Sequence, residues 1–262
     1  MIINSIEGQK PQSQYLLYAA ADQIYFDRYA KPLIVSAAKN CSQVPVHIHI
    51  YDPLPAQLSW ASQRSNLTVS WETVDHSGLA KIAKRWHKRK EFANDRQIQM
   101  FKKSQTLGIP EFQQLINNTY YACMRFVRLA EILSSETTCL SLDVDGLVRS
   151  GFSMDLPEQD IYCYEKPKDG THLAGALLFQ PHQGSRQFLY DYAKLIRESI
   201  IEGDLYWFLD QVILDQLIPQ YRKGLLPMSY IDWAMRPGSA IWSAKGRRKD
   251  LEIFRRECAK YK

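Results

Sequence analysis

The 262-residue chain is short of the features that mark whole classes of protein. It has five cysteines, at 41, 123, 139, 163 and 258, with no Cys-x-x-Cys and no close pairing pattern. An odd, scattered set excludes a disulfide scaffold and reads as reduced, mostly buried thiols in a reducing compartment. No apolar stretch approaches the ~18 residues needed to cross a bilayer. The opening run Met1-Ile2-Ile3-Asn4-Ser5-Ile6-Glu7 has no basic-then-apolar order, so no secretory leader is predicted and a cytoplasmic, soluble protein is the expectation. Internal repeats, low-complexity tracts and Gly/Pro-rich linkers are lacking too, which predicts a single domain over 1–262 with its core at 14–249. Charge of one sign is not in large excess. The formal net charge is +5 and the pI near 8.8, which suits an anionic substrate without demanding nucleic acid. With 45% hydrophobic and 23% charged residues the balance is that of an ordinary globular protein with one sizeable core.

What the chain does have is concentrated around Leu140-Ser141-Leu142-Asp143-Val144-Asp145-Gly146-Leu147-Val148. The residues before it, Thr137-Thr138-Cys139-Leu140, are β-branched and apolar and predict a buried strand. Positions i and i+2 on extended backbone share a face, so Asp143 and Asp145 can aim at one point. Converging carboxylates repel unless a cation lies between them. A hard divalent ion, Mg²⁺ or Mn²⁺, suits oxygen ligands and keeps places for water and a diphosphate. Gly146 would let a ligand approach the backbone. The alternative is a plain turn with both carboxylates solvated.

Taken in order, Gln14-Tyr15-Leu16-Leu17-Tyr18-Ala19-Ala20-Ala21-Asp22 predicts a first, central strand. A helix follows from Phe26 to Asn40, with Pro32 kinking it or marking its true first turn. Val46–Asp52 and Leu67–Trp71 predict further strands, and strand-helix-strand at this spacing starts a parallel α/β sheet. His47 and His49 share a strand face but lack a third ligand nearby, so they read as structural or exposed. Lys81–Lys90 (KIAKRWHKRK) is the most basic stretch. It reads as a solvated helix face; a peripheral contact with an anionic surface, or an acidic acceptor, is the alternative, and no nucleic-acid partner is expected. Tyr120–Leu133 is helical, with Arg125 close to its apolar stripe and able to hold a carboxylate or a phosphate. Asp160–Tyr164 and His172–Phe179 predict strands, the latter with Ala174-Gly175-Ala176 in its first half. Gln187–Ile201 is helical. In Leu205–Asp215 the polar Asp210 and Gln211 sit among bulky apolar residues, capping a helix or facing a site. The late stretch Ile241–Lys249 is a basic, glycine-bearing loop suited to a diphosphate.

Two families end such a strand with Asp-x-Asp. Haloacid-dehalogenase-type phosphatases share Asp143-Val144-Asp145-Gly146, but their motif belongs to the first strand, and here about half the chain precedes it. The chain more closely resembles nucleotide-sugar glycosyltransferases of the GT-A fold, in particular family eight, the glycogenin and bacterial galactosyltransferase group. Ala21-Asp22-Gln23-Ile24-Tyr25 looks like that family's base-binding segment, and the Arg125–Leu133 run looks like its helix before the metal motif. Leu142-Asp143-Val144-Asp145 matches Asp-x-Asp, Ala174-Gly175-Ala176 the sugar-site strand, Asp210-Gln211 the Asp-Gln pair beside the transferred sugar, and Lys245-Gly246 the diphosphate loop. The resemblance runs from about Tyr15 to Lys249 and lies in the order of the motifs.

The resemblance implies an α/β GT-A fold, with a mixed, mostly parallel central sheet flanked by helices. It implies a glycosyltransferase that moves a sugar from a nucleotide diphosphate sugar, UDP-sugar first, to an unknown glycan, lipid or protein acceptor, with Mn²⁺ or Mg²⁺ and retention of configuration. The implied residues are Ala20, Ala21, Asp22, Tyr25, Arg125, Asp143, Val144, Asp145, Lys245 and Gly246 for the nucleotide, and Ala174, Gly175, Asp210 and Gln211 for the sugar. Asp210 and Gln211 are the catalytic pair, and Asp143 and Asp145 hold the metal. If configuration were inverted, Asp210 or Asp215 would serve as base. The chain departs from the family at Leu173 and Asp215, where Asn is usual, and it has no histidine after His182, so the family's late metal-binding histidine is missing. A non-catalytic nucleotide- or glycan-binding protein on the same fold is the remaining alternative.

Overall fold

The computed structural model describes residues 1, 3–166 and 170–261; Ile2, 167–169 and Lys262 lie outside the described residues. The strands are β1 (Glu7–Gly8), β2 (Tyr15–Asp22), β3 (Val46–Tyr51), β4 (Leu67–Glu72), β5 (Thr138–Leu142), β6 (Gly146–Val148), β7 (Ile161–Glu165), β8 (His172–Phe179), β9 (Lys223–Leu225), β10 (Ile231–Asp232) and β11 (Ile241–Ser243). The helices are α1 (Gln23–Tyr25), α2 (Lys31–Asn40), α3 (Pro55–Ser62), α4 (His76–Trp86), α5 (Asp95–Thr106), α6 (Ile109–Ile132), α7 (Gln183–Glu202), α8 (Leu209–Leu217) and α9 (Glu252–Ala259).

Eight strands form the main sheet in the order β1-β4-β3-β2-β5-β8-β7-β9. β2, β3, β4 and β5 run parallel, whereas β8 is antiparallel to β5. The reversal at β8 places its amino half at the carboxyl ends of β2 and β5, with Leu142 opposite Ala176. Open α/β sheets bind ligands at this edge.

β2 shows why the sheet needs cover on both faces. Leu16 and Tyr18 enter one apolar cluster with Phe126, Leu129 and Tyr192. Leu17, Ala19 and Ala21 enter the other with Leu33, Ile34 and Ala37. A strand buried on both sides reads as a continuous apolar run, which is the pattern of Tyr15-Leu16-Leu17-Tyr18-Ala19-Ala20-Ala21. None of the five cysteines is in a disulfide among the described residues, and all five are buried. The predicted helix after β2 is irregular: Phe26–Ala30 is π-helical and runs straight into α2, whose first turn holds Pro32, a residue without the N–H that would continue the ladder.

A second sheet, β10-β11-β6, lies after the Asp pair, with Gly146 opposite Ser243. It ties the late part of the chain to the end of β5.

The histidine pair is structural. His47 and His49 are fully buried and hydrogen-bond Ser70 Oγ, each at 2.9 Å, and burial pushes His47 down to about 3. Beside them Arg128 pairs with the buried Glu72 and donates to Asn4 O at 2.8 Å. Burial alone would raise Glu72, but His49 and Arg128 outweigh it and hold its pKa below the usual value. Arg128 therefore belongs to the core, and its neighbour on the same helix, Arg125, is the one that reaches the sheet edge. Among the described residues no helix is long and apolar enough to cross a membrane.

Candidate active site

The residues that the resemblance assigns to the nucleotide, the sugar and the metal all line one cavity of about 410 Å³ at the carboxyl edge of the main sheet. β2 brings Ala20, Ala21 and Asp22, with Tyr25 just beyond. The β5–β6 turn brings Asp143, Val144 and Asp145, and β8 brings Ala174 and Gly175. The start of α8 supplies Asp210 and Gln211, the loop after β11 supplies Lys245 and Gly246, and α6 supplies Arg125.

Arg125 is the hub. Only 7% of it is exposed. Its guanidinium donates to the Asp143 carboxylate and, at 2.9 Å, to the carbonyl of Ala174, and it stands 3.4 Å from Asp210 Oδ2. One planar fork thus fixes the β5–β6 turn, β8 and α8 relative to one another. Asp143 also continues the ladder, its N–H donating to Gly175 O at 2.8 Å. A Cβ at Gly175 would stand 2.5 Å from Asp143 Oδ2, so glycine is what lets strand and carboxylate meet.

Asp145 has its own cation. Lys249 Nζ lies 2.7 Å from Asp145 Oδ2, donates to the Tyr25 hydroxyl at 2.9 Å and sits 4.4 Å from the centre of the Tyr25 ring. Burial would raise Asp143, but the charges of Arg125 and then Lys245 outweigh it, and its pKa is lowered. For Asp145, burial and the charge of Asp143 outweigh Lys249, and its pKa is raised. Asp210 is also raised, by burial first, against Arg125 and Lys245. The environments thus push neighbouring carboxylates apart, as sites that handle charge do.

The fit of a divalent cation can be judged from what these pairs leave over. Asp145 Oδ1 is buried without a hydrogen-bond partner, as is the hydroxyl of Ser243, which faces Gly146 across the ladder. A buried carboxylate oxygen with no donor is costly unless a ligand completes it. The oxygen donors suit Mg²⁺ or Mn²⁺. Among the described residues no third His, Cys, Asp or Glu joins the pair as a metal cluster.

Sequence reasoning missed Lys249 as a site residue. Its signal was the basic loop itself, but the turn at Gly246 (φ 66°) decides which lysine comes back to Asp145. It also missed Asn118, Thr119 and Tyr121, a wall from the middle of α6; Tyr121 stacks on Tyr51 at 4.7 Å. Asp22 accepts from Tyr25 N at 2.7 Å and so caps the first turn as well as lining the cavity. Gln211 is already engaged: its Oε1 accepts from Ala174 N at 3.1 Å and its Nε2 donates to His172 O. It clamps the edge of β8. Asp215 is not among the cavity-lining residues and pairs with His172 Nδ1 at 2.9 Å, which removes it as a candidate base. Leu173, where the family has Asn, is buried in the apolar cluster on the α2 face.

No protein-family model matches the chain, and no curated protein sequence matches it. Solved structures do. The galactosyltransferase LgtC, solved in complex with donor and acceptor sugar analogues, is similar at 14% identity over 94% of this chain and 95% of that one, with a TM-score of 0.58. The bifunctional glycosyltransferase WbbM is similar at 13% identity over 94% of this chain and 50% of that one, with a TM-score of 0.55. The glycosyltransferase GlyE of Streptococcus pneumoniae TIGR4 is similar at 15% identity over 95% of this chain and 60% of that one, with a TM-score of 0.57. The chain therefore spans nearly all of the first and only half to three-fifths of the other two. At such identities the likeness is one of architecture: the chain has the fold of GT-A glycosyltransferases.

Proposed function

We propose that the chain is a glycosyltransferase that uses a nucleotide diphosphate sugar, a UDP-sugar first, with Mn²⁺ or Mg²⁺ and retention of configuration. The observation that carries this reading is the meeting of Asp143 and Asp145 with Arg125, Lys245 and Lys249 in one cavity, between Asp22 and Tyr25 on one side and Asp210 on the other. A cavity with carboxylates and fixed cations together suits a diphosphate that arrives with a metal. The phosphatase reading loses its ground, because the Asp motif ends the fifth strand of a GT-A sheet rather than the first.

Each side chain has a task on this reading. Asp22, Tyr25, Asn118 and Tyr121 shape the place for the base. Lys245, Lys249 and Arg125 supply fixed positive charge where the diphosphate leaves. The free oxygens of Asp143 and Asp145 would hold the divalent ion, which when bound neutralises charge on the leaving group. Gly175 admits the sugar close to the backbone, and Gln211 acts by holding that strand edge. Asp210 is the carboxylate left to face the sugar as positive charge develops at its anomeric carbon.

Two experiments test the assignment. In a thermal-shift screen of nucleoside diphosphates with Mn²⁺, UDP is expected to raise the Tm most and GDP next. At a hundredfold excess over Kd the gain is about 2.7 kcal/mol, worth several degrees for a chain of this size. No shift from any nucleotide would remove the reading, and binding without hydrolysis of a sugar nucleotide would mark a binding protein instead. Asp210→Asn keeps the hydrogen bond from Gln211 N, now 2.9 Å long. It is expected to lower kcat roughly 10²-fold with nucleotide affinity nearly unchanged, because its interaction tightens only as charge develops. Equal losses in both would place Asp210 in the diphosphate site.

A further inference from the structure

The aromatic segment ahead of α8 contributes more than the donor site requires. Tyr206 is core, its ring edge-on to Trp86. Trp207 and Phe208 instead line the cavity. Phe208 takes φ 71°, ψ 20°, a left-handed conformation that L-residues adopt rarely and that tends to mark functional places. Its ring lies 4.8 Å from the Arg96 guanidinium and 5.7 Å from Lys245 Nζ. The Trp207 ring meets it at 5.4 Å and stays 36% exposed. Among the described residues neither Arg96 nor Lys245 is in an ion pair, and Arg96 makes only a 3.4 Å hydrogen bond to Gln99.

Arg96 belongs to the most basic part of the chain. Residues 81–103, which carry the second half of α4 and most of α5, hold nine lysines and arginines against two carboxylates, an excess of seven, while the whole chain has a net charge of only +5. The α4–α5 segment is clamped onto the residues that lead into Trp207. Arg89 pairs with Asp204 at 2.5 Å, Gln97 donates to Asp204 at 2.8 Å and Trp86 Nε1 donates to Leu205 O at 2.9 Å. The basic stretch is therefore anchored to the segment that leads into the cavity-lining Trp207, and Arg96 is its residue that reaches Phe208.

We infer that the part of the cavity lined by Trp207 and Phe208 is the acceptor subsite and that the acceptor is an acidic saccharide. A sugar ring lies against Trp207 and Phe208, and a carboxylate or phosphate on that sugar or its neighbour is held by Arg96, with the surplus charge of α4–α5 drawing it in. The inference rests on the glycosyltransferase reading for the word acceptor, but its test needs no turnover. Binding is measured by calorimetry, without donor, for trigalacturonate against its methyl ester and for a mannose 6-phosphate disaccharide against mannobiose. At least one charged member is expected to bind tenfold or more tightly than its neutral counterpart at low salt, with the advantage shrinking at high salt. The pair that shows it tells carboxylate from phosphate. Arg96→Gln is expected to abolish most of that advantage, and Arg96→Lys to restore much of it. No preference in either pair, whether both members bind or neither does, overturns the inference. So does an equal fall for charged and neutral members in Arg96→Gln, or binding to phosphatidylglycerol vesicles without preference among the sugars, which would point to a lipid surface. Failure of the wild-type protein to hydrolyse any sugar nucleotide is a separate result and bears on the glycosyltransferase reading alone.

Discussion

Asp145→Ala is expected to fold, to bind nucleoside diphosphate no better with Mn²⁺ than without it, and to transfer no sugar. Folding survives because the lost carboxylate sits at the cavity and its partner keeps other company. Lys249 retains the Tyr25 hydroxyl at 2.9 Å and lies over the rings of Tyr25 and Tyr29, at 4.4 and 5.3 Å. The repulsion that Asp143 exerts on Asp145 also disappears. Activity does not survive, because the orphaned Oδ1 of Asp145 is the buried oxygen best placed to want a cation. Loss of one preorganised electrostatic group at a reacting centre costs about 10²–10³-fold in rate, and removal of the ion with its ligand should cost at least that. The measurements are Tm, Mn²⁺-dependent nucleotide affinity and turnover with and without chelator. Full turnover in the variant, or in wild-type protein under excess chelator, would show that Arg125, Lys245 and Lys249 neutralise the diphosphate without a metal.

Much of this site could be read from the chain because its elements are buried on both faces. β2 and β5 are nearly unbroken apolar runs that stop at Asp22 and Asp143, so their ends announce where the cavity opens. The order of short motifs then grouped residues far apart in sequence, and those residues do meet in one cavity.

Other parts left a weaker trace. α6 begins at Ile109, well before the apolar stripe that predicts a helix from Tyr120. Its first half is polar and is knitted by Gln113–Asn117 and Gln114–Asn118 side-chain hydrogen bonds, both 2.8 Å, which no hydrophobic period reveals. That half supplies Asn118 and Thr119 to the cavity, so they went unread. β6, β10 and β11 are two or three residues long, too short for any periodicity, yet they bring the Lys245–Lys249 loop back to Asp145. Gln211 shows a different limit. Its position beside the site was legible, but the direction of its amide, spent on the backbone of β8, depends on a partner thirty-seven residues away.

The largest combined effect is expected at Arg125. Arg125→Ala removes the positive charge that faces both Asp143 and Asp210, and leaves those carboxylates buried with Asp145 close by. Breaking a buried ion pair from one side costs about 3–5 kcal/mol, and at roughly 2–4 °C per kcal/mol for a chain of this size the Tm should fall by about 6–20 °C. Turnover should vanish with it, since Asp143 loses its fixed position and the carbonyl of Ala174 loses its donor. Arg125→Lys tells charge from geometry. A single ammonium can answer Asp143 but cannot also span Ala174 O and Asp210, so stability should return in part while activity stays low. A double-mutant cycle with Asp143→Asn is the stricter test. If Arg125 stabilises chiefly by neutralising Asp143, the double variant loses clearly less than the sum of the singles, by the 0.5–3 kcal/mol range usual for coupled neighbours. Strict additivity would mean that Arg125 stabilises through Ala174 and Asp210 instead, and a Tm unchanged in Arg125→Ala would mean that the sheet edge is held by α6 packing against β2 and that the guanidinium serves the ligand alone.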